Sequence, residues 1–234
     1  MESIQKIRKY SLLVFYVPLI AVNICLLIVV YGGVEGLNFL KHEDALPPTF
    51  PYIDGKTSIS RTARVFPSYL IFKPCMIFTG IILIKYWNSN YKLIEQLDPI
   101  NNFKKHFRFY GVASGIFIIL HAIFLGIKFD IDIYKFFRRF ILLGFIFFEL
   151  FAQIALVRNL YKIKDSIDHL ISKKILKIKI TLVSVLLIVA LGSLPILGSS
   201  NYVEFKHALE WDYLLGILTF YLLNYFFWKK PSKI

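Results

Sequence analysis

Apolar residues in this chain come in blocks of about twenty, separated by short polar stretches, and this feature restricts the fold more than any other. A helix rises 1.5 Å per residue, so about twenty residues cover the ~30 Å hydrocarbon core of a bilayer. Within that core every backbone N–H and C=O must find its partner inside the protein, which leaves helices and closed barrels. The blocks lack the period-two alternation of a barrel strand, so helices are predicted. Composition agrees: 57% of the 234 residues are hydrophobic and 18% are charged, against about 45–50% and about 25% in soluble domains.

Windows of about nineteen residues place six spans, at about 11–31, 66–84, 109–127, 140–160, 180–197 and 208–228. Lys6, Arg8 and Lys9 precede the first span, as they would in a secretory leader. Its apolar stretch exceeds the ~7–15 residues of a leader's core and no A-x-A site follows, so it is read as a retained anchor. The prediction is one all-α domain over 1–234, a polytopic membrane protein of six transmembrane helices. The loop after helix one contains Pro47, Pro48, Pro51 and Gly55, residues that favour a turn-rich external cap. No three-plus-three repeat of the transporter kind is visible.

The formal net charge of +13 suggests nucleic acid until the charges are placed. Counting alternate loops, the side holding both termini has eighteen Lys and Arg against five acids, and the other side has nine against nine. Both termini are therefore predicted to face the cytoplasm. Topology and attraction to anionic leaflet lipid account for the charge, and nucleic acid is not expected as a partner. The fourth loop, from Arg158 through Lys162, Lys164, Lys173, Lys174 and Lys177 to Lys179, reads as a headgroup-touching linker. Cys25 and Cys75 both fall in apolar stretches, so they read as small hydrophobes rather than as a disulfide or zinc framework.

An ionisable side chain deep in a span costs about 2.5–3.5 kcal/mol on insertion scales, which makes each one a functional candidate. Glu149 lies near the middle of the fourth span, with Gln153 one turn on along the same face. Lys73 lies beside Pro74 in the second span and His121 in the third. Three states are open to Glu149: a protonated carboxyl bonded across helices, a salt bridge to Lys73, or a proton-carrying or catalytic acid. His121 has only His42 and His207 as companions on its side, so no metal or haem site is expected; no cofactor is expected either. The start of the sixth span gathers His207, Glu210, Trp211, Asp212 and Tyr213 within two turns. That is either an interfacial belt with acids at a helix N-terminus or a headgroup site.

Two stretches carry a family resemblance. Phe50-Pro51-Tyr52-Ile53-Asp54-Gly55, followed by Val65-Phe66, resembles the F-P-Y-I-S-D-T-G and later V-F signature of the DRAM/Frag/Sfk family, in which the segment joins the first two of six helices. Glu210-Trp211, followed by Gly216 and an aromatic-rich run, is similar to that family's last helix. The signature's hydroxyl residues flanking the aspartate are missing, and Ser60-Arg61 stand where a proline-glutamate pair is usual. The resemblance implies a lipid-related role and singles out Asp54, Gly55, Glu210 and Trp211.

The leading expectation is a protein that binds a phospholipid or glycolipid near the outer leaflet and helps to remodel or distribute it. Asp54, Arg61, Arg64, Glu210 and Asp212 would form the polar mouth, above an intramembrane network of Lys73, His121, Glu149 and Gln153. Arginine suits phosphate because its fork is bidentate. One rival is a membrane hydrolase or acyltransferase using His121 or His207 with a carboxylate; the chain is read as lacking the G-x-S-x-G, H-x-x-x-H and H-x-x-x-x-D patterns of such enzymes, which weighs against it. The other is a small proton-coupled transporter using Glu149. Membrane lipids are the expected partners, and a second copy of the chain or another membrane protein is left open. A bacterial inner membrane and a eukaryotic endomembrane or plasma membrane fit the sequence equally.

Overall fold

A computed structural model describes residues 2–32, 44–99, 104–127, 132–199 and 201–229. His42 and the rest of 33–43, in the loop after the first span, lie outside them, as do the ends of the loops and tail counted for charge at 100–103, 128–131 and 230–234. The described residues form eight helices: α1 (Glu2–Tyr31), α2 (Pro51–Asp54), α3 (Ile59–Arg64), α4 (Ser68–Leu97), α5 (Lys104–Phe124), α6 (Asp132–Ile163), α7 (Lys173–Gly198) and α8 (Val203–Phe227). Five of them, α1, α4, α5, α6 and α7, are long and apolar enough to cross a membrane. The coarse architecture is that of a multi-pass helical membrane protein. With 25 residues, α8 is as long as α7 is within one residue. Four charges in its first ten residues, and its Trp, Tyr and Asn content, keep it out of that apolar class.

The long helices extend past the apolar blocks that announce them. For example, α4 continues to Leu97 and α6 begins at Asp132. Polar turns beyond the hydrocarbon keep their i to i−4 ladder, and hydropathy is blind to them. Each long helix packs on the next, and α8 returns to α1, which closes a ring. Between helices in lipid there is little hydrophobic force, so close approach of small residues matters. A Cβ on Gly80 would stand 2.7 Å from the Gly115 carbonyl oxygen, so only glycine lets α4 and α5 come this near.

One end of the ring gathers the start of α1, the start of α7 and the end of α8. Arg8 Nη1 donates to the Trp228 carbonyl, and its guanidinium lies 4.3 Å from the Tyr225 ring centroid. The Ser172 N–H donates to Phe227 O at 2.9 Å, and the Lys229 N–H to Leu170 O at 2.9 Å. The other end carries the cap. Pro51 opens α2, where its missing N–H costs nothing, and Gly55 closes it in the left-handed region at φ 58°. Ser58 then caps α3 by accepting the Arg61 N–H at 3.2 Å. The turn-rich cap expected from the prolines thus contains two short helices, seated on α8 and α1 respectively.

Candidate functional site

A cavity of about 290 Å³ lies inside the ring at the cap end. Every long helix contributes an apolar wall residue: Val22 from α1, Met76 from α4, Ile118 from α5, Ile146 from α6, Leu194 from α7 and Leu214 from α8. Its polar groups are His121, Ser193, Lys206, His207, Glu210 and Tyr213. His207, Glu210 and Tyr213 fall on one stripe of α8, at spacings of three residues. Of the lining residues, Leu143 and Phe147 on α6 and Leu194 on α7 are 41%, 37% and 49% exposed, so the cavity opens sideways between these two helices. An apolar pocket with a few convergent polar groups at one end is the usual form of a ligand site.

The cap fixes the polar rim. His207 Nδ1 lies 3.0 Å from Gly55 O; a carbonyl only accepts, so Nδ1 bears the hydrogen, and a neutral ring keeps its lone pair on Nε2. Gly55 is the residue that permits this approach, because a Cβ there would sit 1.8 Å from Glu204 O on α8. One residue past Glu210, Trp211 Nε1 donates to Thr57 O at 2.9 Å, and its ring packs on Tyr52 at 5.1 Å. The Glu210 side chain lies beside the Ser60 backbone and within reach of the positive charge of Arg64. Burial, then the charges of Arg138 and Arg61, press the Arg64 pKa below the usual guanidinium value, with Glu210 acting against them.

Asp54 serves the cap itself. Its carboxylate takes the Thr49 hydroxyl at 2.7 and 2.8 Å, the Phe50 N–H at 3.0 Å and the Lys56 N–H at 3.0 Å. Burial pushes this carboxyl up, but the hydrogen bonds from Lys56, Thr49 and Phe50, with the Lys56 charge, outweigh it and hold the pKa below the ordinary aspartate value. The polar mouth expected from sequence is therefore redrawn: Glu210 lines the cavity and Arg64 faces it electrostatically, while Asp54, Gly55 and Trp211 hold the cap in place. Arg61 and Asp212 are exposed and line no part of the cavity.

A second set of polar groups is fully buried below the cavity. Glu149 and Gln153 are 0% exposed. The Glu149 carboxyl meets Ser114 Oγ at 2.7 Å, Gln153 Nε2 at 2.9 Å and the Tyr221 hydroxyl, joining α5, α6 and α8. Lys73 is not among these partners; its ammonium donates to Ile123 O at 3.3 Å near the cap end. The Lys73–Glu149 ion pair is thus not formed, and His121 belongs to the cavity wall rather than to the Glu149 cluster.

Lys179, assigned by sequence to the fourth loop, is a buried residue of α7 at 0% exposure. Its ammonium donates to Asn224 Oδ1 at 2.7 Å and lies 4.2 and 4.9 Å from the Phe220 and Phe227 ring centroids. Asn224 Nδ2 in turn donates to Ser11 Oγ at 3.2 Å. The available signal was spacing: Lys173, Lys174 and Lys177 are exposed and Lys179 is not, and Ile175, Leu176, Lys179, Val183 and Leu186 recur at helical period.

Comparison with family models, curated proteins and solved structures gives no match to this chain. The geometry alone therefore carries the chemistry. The expectation that no H-x-x-x-x-D pattern occurs is corrected: His207 and Asp212 stand at that spacing. Five residues of one unbroken helix turn through about 140°, however, and Asp212 is exposed while His207 lines the cavity. Among the described residues no three His, Cys, Asp or Glu side chains are grouped to hold a metal ion.

Proposed function

We propose that this chain is a six-span membrane protein that holds one acyl chain of a phospholipid or glycolipid in the cavity beneath its external cap, and so helps to remodel or distribute that lipid. The observation that carries the reading is the cavity itself, apolar through its body, polar at His207 and Glu210, and open sideways between α6 and α7. At about 290 Å³ it falls at the lower end of the ~300–1,000 Å³ of ligand pockets, which suits a single chain better than a two-chain lipid body. The resemblance of Phe50–Gly55 and Glu210-Trp211 to DRAM/Frag/Sfk sequences supports a lipid-related role, and we place the chain near that family on those motifs.

The sixth crossing is α8. Its last turn is tied to Arg8 and Leu170, while its first turns meet the cap, so it runs the length of the ring beside α1. With the excess of Lys and Arg at the terminal end, this supports cytoplasmic termini. Mass spectrometry of lipids that co-purify with the native protein tests the proposal. The wild type should enrich one lipid class over the bulk membrane, and Ala190→Trp, which fills the cavity, should lose that enrichment. A bulk profile in both proteins would sink the reading.

A further inference from the structure

We propose that Arg64 of the cap and Arg138 of α6 together clamp a phosphate group at the mouth of the cavity, and that this phosphate belongs to the headgroup of the lipid whose acyl chain fills it. The inference deepens the lipid reading, since it rests on the cavity taking an acyl chain, and it chooses a phospholipid over a glycolipid. On α6, Arg138, Leu142, Phe145 and Ile146 stand at i, i+4, i+7 and i+8, which is one face of a helix. The last three line the cavity. Arg138 continues their stripe one turn toward the cap end, about 6 Å beyond Leu142. A chain that enters between α6 and α7 and lies against Leu142 and Ile146 therefore brings its ester and headgroup to the level of Arg138.

Arg64 comes to the same corner from the cap. Arg138 packs with His121, Phe124, Leu125 and Ile141, and His121 also lines the cavity. Gly126 follows Leu125 directly, and a Cβ there would lie 3.9 Å from Arg64 Cγ. The end of α5 thus adjoins both arginines. Arg64 lies within range of two like charges, Arg138 and Arg61, and of one opposite charge, Glu210.

This corner carries more positive charge than its own groups neutralise. Backbone carbonyls occupy the nearby lysines: Lys73 donates to Ile123 O at 3.3 Å and Lys206 to Ser199 O. Arg64 gives its Nε hydrogen to Ser60 O at 3.0 Å, and its two Nη groups have no acceptor among the described residues. Arg138 has the Tyr134 ring centroid 6.0 Å from its guanidinium carbon. Neither arginine has an ion-pair partner among the described residues. Two neighbouring guanidiniums repel each other until an anion lies between them, and a phosphate meets the planar fork of each through paired oxygens. The hydroxyls of a sugar headgroup bring no charge to offset theirs. Arg139, the next residue of α6, is exposed and turned about 100° off the stripe, so it has no part in the clamp.

The test is lipid retention by the purified full-length protein, read by mass spectrometry after incubation with equal amounts of dioleoyl phosphatidylglycerol and a dioleoylglycerol glycoside, which differ only in headgroup. The wild type should keep the phospholipid at least tenfold over the glycolipid. Arg64→Gln and Arg138→Gln should each lower phospholipid retention at least fivefold. Their glycolipid retention should be unchanged, which shows that the cavity is still formed, and Arg139→Gln should alter neither lipid. Excess inorganic phosphate should leave the ratio as it is; if it erased the preference, the arginines would hold the free anion and the lipid assignment would be overturned. Equal retention of the two lipids by the wild type, with both lost in Ala190→Trp, would overturn the clamp and leave the acyl cavity standing, whereas retention of neither would sink both readings. A preference lowered as much by Arg139→Gln as by Arg138→Gln would reduce the effect to diffuse surface charge and overturn the clamp as well.

Discussion

Lys179 shows how a single residue's partners set its energetic weight. A buried ammonium is tolerated because Asn224 Oδ1 accepts from it at 2.7 Å and two aromatic faces lie under it. Cation–π contacts contribute about 0.5–2 kcal/mol each, most when desolvated. Asn224→Leu leaves that charge without its acceptor and should destabilise the protein by about 3 kcal/mol, the order expected when one partner of a buried charged contact is removed. Adding Lys179→Met to Asn224→Leu replaces both polar groups by apolar ones and should recover most of the loss. Thermal unfolding in detergent, followed for the two single variants and the double, checks this; additive losses would show that the two side chains do not act as a pair. Glu149 was legible as a candidate because it interrupts an apolar run. Lys179 was not, because it follows three exposed lysines, and composition cannot tell the fourth from the others without the helix phase.

At the level of elements, the cap and α8 behave as one piece. The prolines and Gly55 announced an ordered external turn, but nothing local revealed that the turn would dock backbone to backbone on α8. That contact is set by Gly55, whose missing side chain leaves room for Glu204 O. Gly55→Ala adds about 1–2 kcal/mol for the left-handed backbone alone, and its Cβ collides with α8, so the cap should lift. Trypsin cleavage after Lys56 and Arg61 should then be several-fold faster than in the wild type, and an unchanged rate would show that the cap seats without Gly55. Asp54 gives the same element a pH dependence. Its folded pKa is depressed, so its stabilisation is present above the unfolded value of about 4 and is lost as pH falls through the lower folded value. Amide protection at Phe50 and Lys56, followed by hydrogen exchange from pH 6 to pH 2, should fall in that acid window. Asp54→Asn should lower protection at neutral pH and flatten the profile.

Across the whole molecule, the main question of architecture is whether α8 crosses the membrane with the other five. Hydropathy favours the five, since the first turns of α8 carry Glu204, Lys206, Glu210 and Asp212 and its middle carries tyrosines. Packing favours six, because a ring that places α8 against α1 along its length brings Trp228 to Arg8. Charge distribution agrees with packing: an even number of crossings returns Lys229 to the same lysine-rich face as Lys6 and Lys9. The two arrangements differ in the side on which residue 229 stands. In a background with Cys25 and Cys75 replaced by alanine, single cysteines at Glu2, Lys56, Ser166 and Lys229 can be labelled by a membrane-impermeant maleimide in intact cells and in opened ones. Six crossings require Glu2→Cys, Ser166→Cys and Lys229→Cys to react only after opening, and Lys56→Cys to react at once. If Lys229→Cys reacted together with Lys56→Cys, α8 would not cross, and the cavity wall that it supplies would have to form in some other way.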